Sequence, residues 1–302
     1  MKIETVKLKR KDIFYHLCNM QLVKILGYSH LIIAVGAGVT AYISGLSLGL
    51  GGEVRESATL IGAFTGLGYT VQRFIKTQFF PHSAPPERIA FMNKYGVGLI
   101  GGWGVALIVV ITLVAVEFST SAIALVFFLI IISTAYAAIP LREKAYLKLP
   151  LIASVFALAT VVFPVLLAGY ELSDFTPVLA TVLLARVLYI AGITIPFDVR
   201  DLSIDSVNMK TVPQQIGEKR ALQRGVILVV GSGVIWAGLI IMEAVNQIVG
   251  YSLLIHAIIS IPFVSPFLAG RNRSEFYYSI VLDGLISFQF VVLLLCYLLF
   301  QQ

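Results

Sequence analysis

Charged residues are scarce in this sequence. Lys, Arg, Asp and Glu make up 13% of its 302 residues, against about 25% in a typical soluble domain. Hydrophobic residues make up 58%, and the mean hydropathy is +0.92. No polar segment is long enough to form a soluble domain of its own. The composition therefore excludes a soluble globular protein and predicts one integral membrane domain over residues 1–302 in a lipid bilayer.

Cysteine and histidine are also rare. The two cysteines, Cys18 and Cys296, lie at opposite ends of the chain in apolar surroundings, which excludes a disulfide framework and a cysteine metal site. The four histidines are too scattered for a histidine metal cluster. The sequence has no nucleotide-binding fingerprint and no nucleophile–base motif, which disfavours a dehydrogenase or a hydrolase.

The net charge is +6, but we predict no nucleic-acid partner. The basic side chains are concentrated in short segments between apolar runs, where the orientation of a membrane protein explains them. Residues 1–21 form a basic, partly amphipathic segment that we expect at the membrane surface. We expect no cleavable signal peptide, because the apolar run after this basic start is long and is followed by many more.

Nine apolar runs are each close to the ~20 residues that a bilayer core requires. They predict an all-α polytopic bundle with spans near residues 22–43, 57–79, 95–116, 119–139, 149–169, 176–196, 222–242, 249–269 and 276–300. Segments after even-numbered spans carry most of the basic residues, and segments after odd-numbered spans are mostly acidic. This asymmetry predicts a cytoplasmic N-terminus and an external C-terminus, in a membrane of the bacterial inner-membrane type.

The polar run at residues 196–221 is the longest after the N-terminal segment. It holds Asp198, Asp201 and Asp205, which fall on one face if the run is written as a helix. Three carboxylates on one face repel each other unless a cation lies between them, and Mg²⁺ prefers carboxylate and phosphate oxygens as ligands. The spacing is therefore compatible with a Mg²⁺ site, and a solvated charged loop at residues 197–221 is the alternative.

The same run resembles the second aspartate-rich motif of the UbiA superfamily of membrane prenyltransferases. The three aspartates, the turn with Thr211 and Pro213, and the later Gly217 match that motif, while Asn208 stands where the family usually has glycine. The resemblance covers nearly the whole chain and implies a UbiA-like bundle. It also implies a transferase that moves an isoprenoid from a prenyl diphosphate to a lipophilic acceptor such as an aromatic compound, with Mg²⁺ held by the three aspartates as catalytic residues.

The first aspartate-rich motif of that family has no counterpart here. Its place, residues 66–78, holds no acidic residue, and the motif's Asn and Asp positions fall on Tyr69, Arg73 and Thr77, with Lys76 nearby. In one interpretation Arg73 and Lys76 bind the diphosphate directly in place of one Mg²⁺. In the other, catalysis is lost and Arg73 pairs with the aspartates, leaving a silent member of the family that binds lipid or acts as a scaffold.

The resemblance also implies contacts with substrate at the end of span four. Tyr136 precedes a basic loop with Arg142 and Lys144, and the family has a similar tyrosine and basic loop that help to bind substrate. The implied ligands of the diphosphate are therefore Arg73, Lys76, Arg142 and Lys144, and the implied substrate contacts are Tyr69, Tyr136 and Arg186.

Two ionisable residues fall inside predicted spans, Arg186 in span six and Asp283 in span nine. Charges within the membrane usually face the interior of the bundle and are paired. We therefore expect an Arg186–Asp283 ion pair with a structural role, and a ligand contact at Arg186 is the alternative. A transporter is a third and weaker interpretation, because the spans offer little else that is polar.

Overall fold

The computed structural model describes residues 21–79, 86–114, 118–138 and 146–300. Every regular element in these ranges is helical, which confirms the predicted all-α class. In the hydrocarbon core of a bilayer no water is available to the backbone, so its N–H and C=O groups must form hydrogen bonds with each other. An α-helix forms these bonds within one segment. The helices are α1 Leu31–Ser47, α2 Glu53–Phe79, α3 Pro86–Val114, α4 Thr120–Ala138, α5 Lys148–Leu167, α6 Pro177–Arg200, α7 Val212–Ile216, α8 Glu218–Ile241, α9 Gln247–Val264 and α10 Tyr277–Phe300.

Six of these helices are long and apolar enough to cross a membrane, namely α3, α5, α6, α8, α9 and α10. Two further apolar helices, α1 and α4, are shorter. Every predicted span overlaps one of the helices, but the number of nine crossings, the orientation of the termini and the type of membrane stay predictions. The composition of the helices is that of an integral membrane protein.

The outward faces of the helices are also apolar. On α3, large side chains such as Val97, Ile108 and Leu113 are exposed, and on α10 Leu298 and Leu299 are exposed in the same way. A soluble monomer rarely exposes contiguous apolar surface on this scale. These faces are therefore suited to contact with lipid.

Most helices pack against a neighbour in the chain, and the bundle closes because α1 also packs against α10. α1 packs against α2, α5 and α10, while α6 packs between α5 and α8. α9 packs against both α8 and α10, and α4 contacts α2 and α5. The closed arrangement leaves a cavity lined by α1, α2, α3, α4, α5, α6 and α10.

Helix α6 carries one of the predicted aspartates, Asp198, and its sequence explains both its start and its packing. Thr176 caps it by accepting a 3.2 Å hydrogen bond from the backbone N–H of Leu179, and proline follows the cap at the position where helices favour it. A methyl group added at Gly192 would lie 2.9 Å from the carbonyl oxygen of Gly225 on α8. Small residues here let the two helices approach closely in an environment that provides no hydrophobic force between them.

The first predicted span is interrupted rather than continuous. His30 has a φ of 63°, in the left-handed region, and directly precedes α1. A non-glycine residue with this backbone conformation is uncommon. The predicted span is helical up to a π-helical turn at Val23–Gly27, and a turn at residues 28–30 then separates that segment from α1. Tyr28 and His30 lie on the wall of the cavity.

Candidate functional site

A cavity of about 670 Å³ lies inside the bundle, within the range of pockets that bind small molecules and cofactors. Its charged side chains come from the ends of α2 and α6, from the starts of α3 and α5, from Asp201 just after α6 and from Asp283 in the first third of α10. Antiparallel neighbours bring these helix ends to one end of the bundle. The remainder of the lining is mainly apolar, including Ile61, Phe64, Leu107, Val126, Phe156 and Phe163. The cavity therefore has a charged end and an apolar interior.

Lys148, the first residue of α5, connects two of the predicted aspartates. Its Nζ lies 2.8 Å from Asp198 Oδ1 and 2.5 Å from Asp205 Oδ2. The exposed fractions of the three side chains are 10% for Lys148, 1% for Asp198 and 2% for Asp205. Away from water the attraction between opposite charges is several times stronger than at a solvated surface. Lys148 therefore neutralises this part of the aspartate run.

Asp201 has a different partner. Arg200 donates to both of its carboxylate oxygens, over 2.8 Å from Nε to Oδ1 and 3.3 Å from Nη2 to Oδ2. Nη1 of Arg200 also lies 3.7 Å from Glu275 Oε1, and Glu275 forms an ion pair with Arg88 of α3. The Arg200 guanidinium carbon lies 5.0 Å from the centre of the Tyr278 ring, within range of a cation–π interaction. A chain of charges thus links α3, α6 and the segment before α10.

The three aspartates do not lie on one helix, which corrects the prediction. α6 ends just before Asp201, and the tight turn that follows lets the backbone N–H of Asp205 donate to the carbonyl oxygen of Asp201 over 2.8 Å. Asp198 alone lies within the helix. The turn nevertheless brings Asp205 back toward Asp198, because both contact Lys148.

The segment after the aspartates is folded rather than a solvated loop. Nε2 of Gln214 donates to the carbonyl oxygen of Ser206 over 3.1 Å, and its Oε1 accepts from the backbone N–H of Thr211 over 2.8 Å. Gly217 has a φ of 81°, which allows the sharp turn from α7 into α8. The prediction of a loop across residues 197–221 is therefore wrong, since it contains the end of α6, all of α7 and the start of α8.

Four residues predicted beyond the aspartates line the cavity, namely Tyr69, Arg73, Lys76 and Tyr136. Arg142 and Lys144 lie outside the described residues. Arg73 makes no hydrogen bond or close ion pair with any residue in the described ranges. The ion pair between Arg73 and the aspartates, which would close the mouth of a silent protein, is therefore not formed there.

The ionisable side chains on the cavity wall carry an excess of positive charge. Among the described lining residues, five are cationic, Arg73, Lys76, Arg88, Lys148 and Arg200. Three are carboxylates, Asp198, Asp201 and Asp283. Asp205 and Glu275, behind the wall, pair with Lys148 and Arg88, so the excess is cancelled within the described part of the chain. Arg73 remains a cation of the wall without a close carboxylate in those ranges.

The predicted Arg186–Asp283 pair is replaced by other contacts. Arg186 donates from Nε to Ser44 Oγ over 3.2 Å and from Nη1 to Gln289 Oε1 over 2.9 Å. Its guanidinium carbon lies 5.7 Å from the Trp236 ring. Arg186 is absent from the described cavity wall, whereas Asp283 is part of it. The role of Arg186 as a substrate contact therefore stays a prediction that this geometry does not support.

The aspartates as arranged here do not fit Mg²⁺. Within the part of the chain that the structure describes, no group of three or more His, Cys, Asp or Glu side chains is placed to hold a metal ion. The ammonium group of Lys148 lies between Asp198 and Asp205, where the sequence predicts a metal cation, and the guanidinium of Arg200 occupies both oxygens of Asp201.

Sequence reasoning missed Lys148 and Arg200 as members of the site. The available signal is weak, because a cation at the end of an apolar helix is ordinarily an anchor that reaches toward the membrane surface. The packing of α5 against α6 brings Lys148 to Asp198 and Asp205. Arg200 instead turns onto the adjacent Asp201 and toward Glu275.

Comparison with known proteins finds relatives among solved structures only. No protein-family profile and no curated protein sequence matches the chain. The apo structure of a UbiA homologue from Aeropyrum pernix K1 is similar with a TM-score of 0.63 and 14% identity, over 87% of this chain and 97% of that one. A UbiA homologue from Archaeoglobus fulgidus, bound to GPP and Mg²⁺, is similar with a TM-score of 0.58 and 12% identity, over 90% and 99% of the two chains.

A structure described for digeranylgeranylglyceryl phosphate synthase is also similar. Its TM-score is 0.52 at 13% identity, and the match covers 93% of this chain and 98% of that one. At these identities the similarity establishes the fold. The resemblance inferred from the aspartate run is confirmed at that level.

Proposed function

Because this chain has the fold of the UbiA homologues, we propose that it is a prenyltransferase-like membrane protein whose cavity binds a prenyl diphosphate. The diphosphate lies at the charged end of the cavity and the isoprenoid chain lies in its apolar interior. The observation that carries the proposal is that Arg73 lines the cavity and lacks a close anionic partner among the described residues.

Arg73 is the proposed main ligand of the diphosphate. An arginine inside a membrane protein is costly unless it is paired, and its planar guanidinium matches the oxygens of a phosphate in a bidentate contact. Lys76 lies one turn further along the same face of α2 and contributes charge. Arg142 and Lys144, in the basic loop after Tyr136, are proposed to contact the diphosphate from the other side.

The apolar interior fits an isoprenoid chain. It is lined by aliphatic and aromatic side chains from α2, α3, α4 and α5, and burial of each CH₂ group of a ligand there contributes about 0.8 kcal/mol. The relative bound to GPP shows that this fold accommodates such a molecule. The same lining excludes water from the reacting carbon.

The proposed reaction is the transfer of the isoprenoid to a lipophilic acceptor. The C–O bond to the diphosphate breaks and leaves an allylic carbocation and a diphosphate anion, and the cations at the charged end stabilise that anion. The acceptor, an aromatic compound in the simplest case, supplies the electrons of the new bond and then loses a proton. Asp198 and Asp205 act as positioning residues that hold Lys148 at the site, whereas Asp201 neutralises Arg200.

A silent protein that binds lipid or acts as a scaffold is the second candidate. It is favoured by the absence of acidic residues from residues 66–78, and by the pairing of the aspartates with protein cations. It is opposed by the lack of a close anionic partner for Arg73, since a closed and inactive mouth would pair that charge.

The proposal is tested by the binding of GPP to the purified protein, measured by calorimetry in detergent, with EDTA and with Mg²⁺. We expect saturable binding by the wild type and at least a tenfold loss of affinity in Arg73→Gln, about 1.4 kcal/mol. Arg55→Gln is the matched control, because Arg55 is an exposed arginine near the opposite end of the same helix.

Two outcomes would count against the proposal. If the wild type binds no GPP under either condition, the cavity is not a prenyl diphosphate site. If Arg73→Gln and Arg55→Gln lose affinity equally, the cationic wall does not form the site. GPP binding with no product formed from any aromatic acceptor would favour the silent protein over the transferase.

A further inference from the structure

The ammonium group of Lys148 occupies the place between Asp198 and Asp205 where the spacing of the carboxylates predicts a metal ion. From this we propose that Lys148 is a built-in cation, which replaces a divalent metal at the aspartate run and allows the protein to bind a diphosphate without Mg²⁺. The inference about the diphosphate rests on the function proposed above. The inference about the metal concerns the carboxylates alone and can be tested without any prenyl ligand.

Lys148 and a metal ion would compete for the same oxygen atoms. The Nζ atom is 2.8 Å from Asp198 Oδ1 and 2.5 Å from Asp205 Oδ2, so that both contacts are ion-paired hydrogen-bond distances. Mg²⁺ requires oxygen ligands at about 2.0–2.1 Å in near-octahedral geometry. A metal ion at these oxygens would lie against the ammonium group, where two positive charges repel each other.

Lys148 supplies the positive charge that compensates the carboxylates of Asp198 and Asp205. Asp198 is buried, and within the described ranges Lys148 is the only side chain with which it forms an ion pair. The remaining carboxylate of the run, Asp201, is occupied by Arg200 through both oxygens. Without Lys148, Asp198 would keep a buried negative charge near Asp205, which is the arrangement that attracts a divalent cation.

The ammonium group also faces the proposed ligand. Lys148 belongs to the cavity wall together with Arg73 and Lys76. An ammonium group has three N–H donors. One of them donates to Asp205 Oδ2, and Asp198 Oδ1 lies 2.8 Å away as an ion-pair partner. Another N–H donor would bind an oxygen of a diphosphate, as a metal ion that bridges carboxylates and phosphate would.

The test is a comparison of wild type with Lys148→Met, in which a side chain of similar length loses its charge. Binding of Mn²⁺ is titrated by electron paramagnetic resonance in the absence of any prenyl ligand. We expect no tight Mn²⁺ site in the wild type and one site in Lys148→Met. That site should disappear in the double variant Lys148→Met/Asp198→Asn. Lys219→Met, at an exposed lysine on α8, is the control and should behave as wild type.

The same proteins are then titrated with GPP. Wild type is expected to bind with equal affinity in EDTA and in Mg²⁺, whereas Lys148→Met is expected to lose at least tenfold in EDTA and to recover in Mg²⁺. Lys148→Arg keeps the positive charge and should bind GPP without metal. That result would show that the fold tolerates an exchange at position 148.

The wild type alone can overturn the inference, whatever the folding of the variants. One tight Mn²⁺ site in wild-type protein, or GPP binding that EDTA abolishes, would show that Lys148 does not replace the metal. If no protein binds GPP but Lys148→Met gains a Mn²⁺ site, the inference about the metal holds and the proposed function fails. If GPP binds and Lys148→Met gains no Mn²⁺ site, the proposed function holds and the inference about the metal fails.

Discussion

The bundle buries positive charge in two places that differ in their partners. At the charged end of the cavity, Lys148 and Arg200 are paired with carboxylates. In the middle of α6, Arg186 is only 2% exposed, and the side chains that it contacts in the described ranges are neutral. A buried cation is therefore not by itself a sign of a ligand site. Two features distinguish the charged end of the cavity from the surroundings of Arg186. Lys148 and Arg200 line the cavity, and both have acidic partners.

The neutral set, which consists of Arg186 with Ser44 and Gln289, has a clear structural role. Arg186 of α6 contacts Ser44 of α1 and Gln289 of α10, and Gln289 in turn donates to Thr40 of α1 over 2.6 Å. Hydrogen bonds between helices stabilise membrane bundles modestly. Three helices that are far apart in sequence are thus held together by groups that do not face the cavity.

The largest effect is expected from Lys148→Met, which removes the ion pairs of Lys148 with Asp198 and Asp205. It leaves Asp198 and Asp205 as uncompensated buried carboxylates, and loss of one partner of a buried pair costs about 3–5 kcal/mol. We expect the free energy of unfolding, measured in mixed micelles with EDTA, to fall by about that amount. Lys219→Met should leave it unchanged. An equally stable Lys148→Met in EDTA would contradict the pairing described here.

A smaller loss of stability is expected from Arg186→Met, which breaks the neutral set. The exchange leaves Ser44 and Gln289 without a donor, at a cost of about 1–3 kcal/mol for unsatisfied buried groups. We expect this loss in the free energy of unfolding and no change beyond twofold in the affinity for GPP. A tenfold loss of GPP affinity at unchanged stability would instead place Arg186 in the ligand site.

The smallest effect is expected from Asp201→Asn, and its direction is informative. The exchange removes one negative charge from the cavity wall and releases Arg200 from a bidentate contact. If cations of the protein bind the diphosphate, GPP affinity in EDTA should rise about two- to fivefold, because one repulsive charge has gone. If a metal held by the aspartates binds it, affinity in Mg²⁺ should fall. Calorimetry with both buffers separates the two.

The positions of the helices were largely predictable, because apolar runs of about 20 residues dominate the sequence. The sequence also identified Tyr69, Arg73, Lys76 and Tyr136 as cavity residues through a resemblance to a known motif. Local breaks were not predictable in this way. The turn at His30 lies inside a predicted span in which Gly27, Ser29 and His30 interrupt the apolar residues only briefly.

Pairing between helices was the part that the sequence could not provide. Depth in the membrane placed Arg186 and Asp283 together in the prediction, but depth does not tell which face of a helix points to which neighbour. Ser44 and Gln289 are neutral, so nothing in the charge pattern indicates them as partners of Arg186. Lys148 was hidden for the opposite reason, since its charge had an ordinary explanation at a helix end.

The chain of charges through Arg88, Glu275, Arg200 and Asp201 has a consequence for the order in which the molecule forms. Glu275 and Asp283 come from the last part of the described chain, while Arg73 and Arg88 come from the first third. During synthesis the wall of the cavity is incomplete until α10 docks against α1. Contacts this distant in sequence form slowly. A newly made chain therefore acquires its binding site as one of its last folding events, and a ligand that binds there would capture only the finished bundle.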